Sequence, residues 1–166
     1  MKTITILRAA VLLAALAAAG AASARNDKLL LPVDSALRGS GLVAAPQADM
    51  PLRFGTGTAA GADALPSVNA HGVMDPSAAA GNNYGNKRDR RPDADVCQDA
   101  FRKALAELQQ RGRASGGVAV VGIVGNYRGA VFDSPNAFEC HVGMTRVVVD
   151  LRGQPVRALP AGTSTK

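Results

Sequence analysis

The chain has 166 residues, 47% of them hydrophobic but only 4% aromatic, and a formal net charge of +6 at pH 7. Four Phe, two Tyr and no Trp leave little aromatic surface on which nucleic-acid bases could stack, so the composition argues against a nucleic-acid partner.

The first 24 residues have the pattern of a secretory signal peptide. Basic Lys2 and Arg8 precede the apolar run 9–19, and an A-x-A cleavage site ends at Ala24, before Arg25. A membrane anchor is disfavoured because the run is shorter than the ~20 apolar residues of a spanning helix. No cysteine follows the cleavage site, so no lipid anchor is expected there. We expect a periplasmic or secreted protein whose mature part, with 17 basic and 13 acidic residues, has an ordinary charge for solubility.

Residues 25–94 are rich in Ala, Gly, Pro and Asn and predict a mostly flexible, low-complexity region. Two apolar islands, 28–33 and 51–55, are candidates for short strands, and the sequence leaves open whether they join a later sheet. Residues 56–94 show almost no periodicity, which is typical of a mobile linker or lid. The charge run 87–91 favours a solvated stretch before a helix, the alternative being contact with anionic lipid head groups or cell-wall carboxylates.

Residues 96–111 predict an amphipathic helix. Its apolar face is formed by residues at three- and four-residue steps, which are Cys97, Phe101, Ala104, Leu105 and Leu108. Asp95 fits the N-cap of a capping box with Gln98, and Gly112 is the expected stop. The polar residues off this face are expected to meet water; they are Gln98, Arg102, Glu107, Gln109 and Arg113.

Two strands are predicted after the helix. Residues 118–124 form a β-branched run bounded by glycines, which indicates a strand covered on both faces. Residues 138–144 alternate and place one set on a single face: Phe138, Cys140, Val142 and Met144. The apolar phase then changes to Val147, Val149 and Leu151, which predicts a bulge or tight turn between 143 and 146.

The two cysteines fall on the apolar faces of the helix and of the second strand. A helix packed across a sheet brings these faces together, so in an oxidising compartment a disulfide between Cys97 and Cys140 is predicted. Free buried thiols are the alternative; a redox-active pair normally has C-x-x-C spacing and is less favoured. The predicted fold class is α+β, with one amphipathic helix on a small, mainly antiparallel sheet over 95–159, followed by a flexible tail, 160–166.

Chemistry-bearing motifs are absent from the sequence. There is no phosphate-binding loop, no G-x-S-x-G and no H-E-x-x-H, so we expect a non-enzymatic protein with no catalytic residue, cofactor or metal site. His71 lies in the flexible stretch, and strand alternation predicts that His141 points away from Cys140. The alternative is a metal-binding or thiol-dependent protein that uses Cys140 and His141, although adjacent Cys-His is poor spacing for tetrahedral ligands.

Several segments of the chain resemble a family of small exported proteobacterial proteins that often carry the label excinuclease ATPase subunit. The segments are VCQDAF (96–101), ALAELQ (104–109), GGVAVVGIV (116–124) and FECHVG (138–143). The chain has no ATP-binding loop and no zinc-finger cysteines, so neither nucleotide hydrolysis nor DNA repair is expected from that label.

More distantly, the order of helix, glycine, small-apolar strand and Cys-x-x-Gly strand is similar to the Rcs envelope-stress outer-membrane lipoprotein and to small domains labelled heavy-metal-binding. The resemblance implies that Cys97 and Cys140 pair, as a cysteine before the helix and one in the late strand do in that sensor. Because the sequence specifies a core but no convergent catalytic groups, we expect a binding or envelope-stress role, with an envelope protein or a cell-wall component as partner. The sensor's second disulfide and lipidated cysteine have no counterpart in this sequence.

Overall fold

The computed structural model of the protein describes residues 25–76 and 91–159. The predicted signal peptide and the cleavage bond after Ala24, residues 87–90 of the charge run and the predicted tail, 160–166, lie outside the described residues.

All of the strands in the described residues belong to one mixed, mostly antiparallel sheet. The elements in chain order are β1 (Asn26–Pro32), α1 (Val33–Arg38), β2 (Leu52–Phe54), β3 (Val68–Met74), α2 (Asp93–Ala114), β4 (Ala119–Gly125), β5 (Ala137–Gly143) and β6 (Val147–Val156). The strand order is β1-β5-β6-β4-β2, with β3 also paired to β6, and β2–β4 is the parallel pair. The predicted α+β fold is confirmed.

The strand β6 holds the sheet together. It pairs with β3 from Val147 to Gly153, with β5 at Val147 and Val148, and with β4 from Leu151 to Val156. The β6 residues that pair with β3 include residues that also pair with β4 or β5. One edge of a strand has room for a single neighbour at each residue, so β3 lies along the edge of β6 opposite to β4 and β5. Strands β4 and β5 therefore share one edge of β6 and fork apart around Asp150.

Helix α2 covers one face of the sheet and packs mainly on β3 and β6. Phe101 of the helix lies fully buried between two aromatic rings, with its ring centroid 4.0 Å from that of Phe138 and 5.8 Å from that of Phe54. Such aromatic contacts add to the free energy gained by removing large apolar side chains from water. The apolar face predicted for the helix is confirmed as the centre of the core.

The helix begins earlier than predicted, and the predicted capping box is wrong. Pro92, in an extended conformation, precedes the first helical residue, Asp93, and no side chain caps the helix start. Asp95 is therefore inside the first turn, where it and Asp93 still interact favourably with the helix dipole.

The helix also ends later than predicted. Gly112 lies within it, and a Cβ atom there would stand 2.5 Å from the Met50 methyl carbon and 3.0 Å from a Val120 methyl carbon, so a larger residue would have to displace these buried side chains. The helix is ended by Gly116, whose φ of +82° is left-handed. Its N–H donates to the Arg113 carbonyl and that of Gly117 to the Gly112 carbonyl, both at 2.9 Å, which satisfies two of the last carbonyls.

The region before α2 is more regular than predicted. The islands 28–33 and 51–55 form β1 and β2 and join the main sheet. The prediction of a structureless connection over 56–94 is wrong for 68–74, which is the strand β3. Since β1, β2 and β3 belong to the same sheet as β4, β5 and β6, the structure shows no separation of domains at residue 95.

The strands after α2 follow the predictions closely. Strand β4 is buried along almost its whole length, as expected for a strand covered on both faces. A tight turn joins β5 to β6, closed by a 2.8 Å hydrogen bond from the Gly143 N–H to the Arg146 carbonyl. Met144 lies in this turn and is 68% exposed, so it does not share the buried face of Phe138 and Cys140 as predicted.

Candidate functional site

A disulfide joins α2 to β5. Cys97 and Cys140 are bonded, with their Cα atoms 5.9 Å apart, and both are fully buried. The predicted pairing is present. Because each sulfur is bonded to the other, neither is the free thiolate that binds a metal or acts as a nucleophile.

One polar side of α2 is buried rather than solvated. Arg102, predicted to lie off the apolar face, is 1% exposed, and it forms an ion pair with the fully buried Asp99, with 2.9 Å between Arg102 Nη1 and Asp99 Oδ1. Arg91 Nη1 lies 2.6 Å from Asp99 Oδ2, and the backbone N–H groups of Leu42 and Val43 donate to the same carboxylate at 3.2 Å. Burial opposes ionisation of Asp99, but these hydrogen bonds outweigh it and hold its pKa below the usual value.

Arg102 attaches the segment after α1 to the helix. Its Nε donates to the Ala36 carbonyl at 2.6 Å and its Nη2 to the Gly39 carbonyl at 2.7 Å. The prediction that Arg102 meets water is wrong because this segment, assigned to the flexible region, lies over the polar side of α2. The Asp99–Arg102 pair is therefore part of the scaffold.

Gln109, two turns further along α2, also attaches the segment after α1 to the helix. It is 1% exposed, its Nε2 donates to the carbonyls of Gln47 and Met50 at 2.7 Å, and its Oε1 accepts the Gln47 N–H at 2.9 Å. The prediction that Gln109 meets water is wrong for the same reason. Between residues 43–47 and the helix lies an open groove of about 470 Å³, lined by small apolar side chains together with Gln and Arg side chains.

The two histidines of the chain share the opposite face of the sheet. We call this surface the histidine face, because strand alternation turns its side chains away from α2. It consists of Lys28 on β1, Asn69 and His71 on β3, Asn126 and Tyr127 in the connection after β4, Glu139 and His141 on β5, and Asp150 on β6.

The outer part of the histidine face is the pair formed by His71 and Asp150. These residues are cross-strand partners, and 2.6 Å separates His71 Nδ1 from Asp150 Oδ1. The His71 side chain is 61% exposed, whereas that of Asp150 is 14% exposed. Beside this pair, Asn126 Nδ2 donates to Asn69 Oδ1 at 3.2 Å. The carboxylate orients the imidazole and leaves its Nε2 edge open to solvent.

The inner part of the histidine face is centred on His141. Its Nε2 contacts Glu139 Oε1, and Glu139 Oε2 forms an ion pair with Lys28 Nζ at 3.2 Å. Burial opposes ionisation of Glu139, but the hydrogen bonds from His141 and Lys28 outweigh it and hold its pKa below the usual value. As the sequence predicted, His141 lies on the face away from Cys140.

Tyr127 covers His141. The two rings are stacked, with centroids 3.4 Å apart and planes inclined by 11°, and the Arg128 guanidinium lies 5.2 Å from the Tyr127 ring centroid. Arg128 has a left-handed backbone with φ of 52°, which fixes the tight turn that carries Tyr127 over the sheet. His141 Nδ1 is buried and has no hydrogen-bond partner among the described residues.

The two histidines are too far apart to act on one atom. Val148 pairs with His141 on one side and with Val73 on the other, and His71 lies two residues from Val73. Two strand spacings and two residues along a strand place the histidine Cα atoms ~12 Å apart. Within residues 25–76 and 91–159, no three metal-binding side chains of the His, Cys, Asp and Glu types converge.

Sequence reasoning located His141 but missed the partner of His71. The pairing with Asp150 depends on β3, and the signal that would have found this strand is the alternation of Val68, Ala70, Gly72 and Met74.

No protein-family model, curated protein or solved structure matches the chain. The described part contains no helix of the length and apolarity needed to cross a membrane.

Proposed function

We propose that this chain is an exported, non-enzymatic binding module of the cell envelope, which binds an envelope protein or a cell-wall component through its histidine face. The observation that carries the proposal is the buried disulfide between Cys97 and Cys140. Disulfides persist in oxidising compartments and are rare in the cytosol. The signal-peptide pattern of residues 1–24 and the resemblance to small exported proteobacterial proteins support the same location.

The histidine face is the surface best suited to binding. The opposite face of the sheet is occupied by α2 and the core, so its side chains are committed to packing. On the histidine face, exposed polar groups such as His71 and Asn69 stand on strands and are held by neighbours, Asp150 and Asn126. Side chains fixed before binding lose less conformational entropy when a partner docks.

The chemistry of the face favours a polar partner of mixed charge. Lys28 and Arg128 supply positive charge at one side, while Asp150 supplies negative charge near the open His71 ring. Proteins and peptide-bearing cell-wall polymers present carboxylates, amines and amides together, and such a surface matches them with both donors and acceptors.

The location is tested in a bacterial host that exports the full chain. We expect the protein in the periplasmic fraction with Arg25 as its first residue, and both cysteines to react with an alkylating reagent only after reduction. Cytosolic protein with an intact leader, or cysteines that alkylate without reduction, would contradict the proposal.

The binding role is tested by reversible cross-linking in intact cells, followed by affinity capture and identification of what is captured. His71→Ala combined with Asn69→Ala removes two exposed polar groups of the histidine face, and Gln110→Ala is the control, because Gln110 is an exposed residue of α2. We expect one envelope component to be captured by the wild type and the control and lost with the double variant. Capture of no envelope component, or equal capture by all three chains, would count against the proposal.

A further inference from the structure

Strand β1 is an edge strand with an open side. It pairs with β5 in register, so that Leu29 faces Cys140 and Leu31 faces Phe138, and the Val33 N–H donates to the Asn136 carbonyl in the same register. Backbone groups of a strand alternate between its two edges. The N–H and C=O groups of Leu29 and Leu31 therefore bond to β5, and those of Lys28 and Leu30 point away from the sheet.

The other outer strands are covered or short. On the free edge of β3, the His71 N–H donates to Glu107 Oε2 at 2.6 Å, and the Val73 carbonyl accepts from Lys103 Nζ at 3.1 Å. Helix α2 thus caps that edge with side chains. Strand β2 has three residues only, and its Arg53 carbonyl accepts a hydrogen bond of 3.4 Å from Thr58 Oγ1.

The usual protection against edge pairing is weak on β1. A lysine on an edge strand opposes pairing with another strand when its charge is free. Here Lys28 is paired with Glu139 of its own sheet, with 3.2 Å between Nζ and Oε2. Leu30, two residues later on the same face, is 54% exposed. Among the described residues, the outward N–H and C=O groups of Lys28 and Leu30 have no hydrogen-bond partner, and Leu30 adds an exposed apolar side chain, so this edge can pair with another edge strand.

We propose that β1 pairs antiparallel with β1 of a second copy of this chain, with Leu29 opposite Leu29 and Lys28 opposite Leu30. In this register, the outward-pointing N–H and C=O groups of Lys28 and Leu30 in both copies all form hydrogen bonds. The two strands are then joined by four backbone hydrogen bonds. Each Leu30 lies against the aliphatic stem of the partner's Lys28. The two sheets join into one continuous sheet, and this association does not depend on the proposed binding role.

The two neighbouring registers are less favourable. Moving the strands by two residues in one direction sets Lys28 opposite Lys28, and like charges directly opposite are destabilising. Moving them in the other direction sets Lys28 opposite Pro32, which has no N–H and whose carbonyl already accepts a hydrogen bond of 2.8 Å from Ser35 Oγ.

The mass of the full chain in solution tests the association. We expect sedimentation equilibrium between about 1 μM and about 1 mM to show a rising fraction of dimer, in the range of a weak protein contact. Leu30→Lys should raise the dissociation constant at least ~10-fold, the effect of about 1.4 kcal/mol. Val118→Lys is the matched control, because Val118 is 53% exposed and its N–H donates to the Val156 carbonyl, at the end of β6 far from β5 and β1. It should leave the constant unchanged.

Amide hydrogen exchange tests the register. In the dimer, the amides of Lys28 and Leu30 should exchange more slowly as concentration rises, while those of Leu29 and Leu31, bonded to β5, should change little. Leu30→Pro removes one outward N–H without removing a bond to β5, so it should abolish the dimer and leave a folded monomer. A monomer at every concentration, a dimer unaffected by both variants, or concentration-dependent protection away from β1 would overturn the proposal.

Discussion

Gly72 of β3 lies against the backbone of α2 at Ala100. A Cβ atom built on this glycine would stand 1.7 Å from the Ala100 carbonyl oxygen and 3.0 Å from the Ala104 nitrogen. The strand and the helix therefore approach to a distance that only glycine permits, and neither backbone can yield without moving the core.

Gly72→Ala should lower the free energy of unfolding by about 3 kcal/mol, because the added methyl group forces β3 away from α2. Urea denaturation followed by circular dichroism measures the change. Gly57→Ala is the control, since a Cβ atom at Gly57 meets nothing within 4 Å. A loss for Gly72→Ala no larger than for the control would show that the contact is not tight.

Reduction of the disulfide should lower the free energy of unfolding by about 4 kcal/mol in the chain-entropy model, because Cys97 and Cys140 are 43 residues apart. Urea denaturation with and without a reducing agent gives this difference. The double variant Cys97→Ala with Cys140→Ala should lose a similar amount and show no further effect of the reducing agent. A difference below about 1 kcal/mol would mean that the bond adds little to stability.

Acid should destabilise the protein through Asp99, Glu107 and Glu139, whose pKa values all lie below their usual range in the folded chain. A carboxyl group of this kind binds fewer protons folded than unfolded, so its contribution is complete above its unfolded pKa, near ~4, and is lost as pH falls towards its folded pKa. We expect the free energy of unfolding to fall from about pH 5 downwards. A free energy that stays level below about pH 4 would contradict the lowered pKa values.

Asp99→Asn should remove part of this dependence and cost about 3 kcal/mol at pH 7, because it leaves the buried Arg102 without its carboxylate. Its effect should shrink as pH falls, since the wild-type carboxyl group is then protonated. Asp34→Asn removes an exposed ion pair with Arg38 and should cost less than about 0.5 kcal/mol. Equal losses for both variants would show that the buried ion pair of Asp99 contributes no more to the free energy of unfolding than an exposed one.

Gln109→Leu should cost about 2 kcal/mol, because it removes the three hydrogen bonds that hold Gln47 and Met50 and leaves the carbonyl group of the buried Met50 unpaired. Limited proteolysis should also cut the segment 39–50 faster. Gln110→Leu changes the next, exposed residue of the same helix and should affect neither measurement. Proteolysis at an unchanged rate in Gln109→Leu would show that other contacts hold the segment.

His141→Phe should stay within about 1 kcal/mol of the wild type, because it keeps the stack with Tyr127 and removes a buried nitrogen that has no partner among the described residues. His141→Ala should cost about 2 kcal/mol through loss of the stack. Thermal denaturation of the two variants measures both effects. A loss in His141→Phe as large as that in His141→Ala would show that the contact with Glu139, which both variants remove, rather than stacking, holds this part of the sheet.

The elements predicted correctly are those whose large side chains repeat with a clear period. Helix α2 shows its face through Phe101, Leu105 and Leu108, and β4 is an unbroken β-branched run. From these faces the sequence also indicated the pairing of Cys97 with Cys140. Each of these predictions depends on a local pattern of apolar residues.

Strand β3 was missed because its inward positions are small. Ala70 and Gly72 face the helix where the backbones come closest, so the strand carries no large apolar residue there and resembles a flexible linker. This omission hid the pairing of His71 with Asp150, and the assignment of residues 36–50 to a flexible region hid the cover over Arg102 and Gln109. These contacts join residues 59 to 79 positions apart, so no local pattern shows which residues meet.

The shared position of β6 determines when the sheet can be completed. Residues 147–156 are synthesised after every strand with which they pair, so β3, β4 and β5 have no common neighbour until the last of these residues is available. Contacts between positions so distant in the chain form slowly, because a long loop must close before they are made. The sheet can therefore be completed only when residues 147–156 are in place, because β3, β4 and β5 are joined through them.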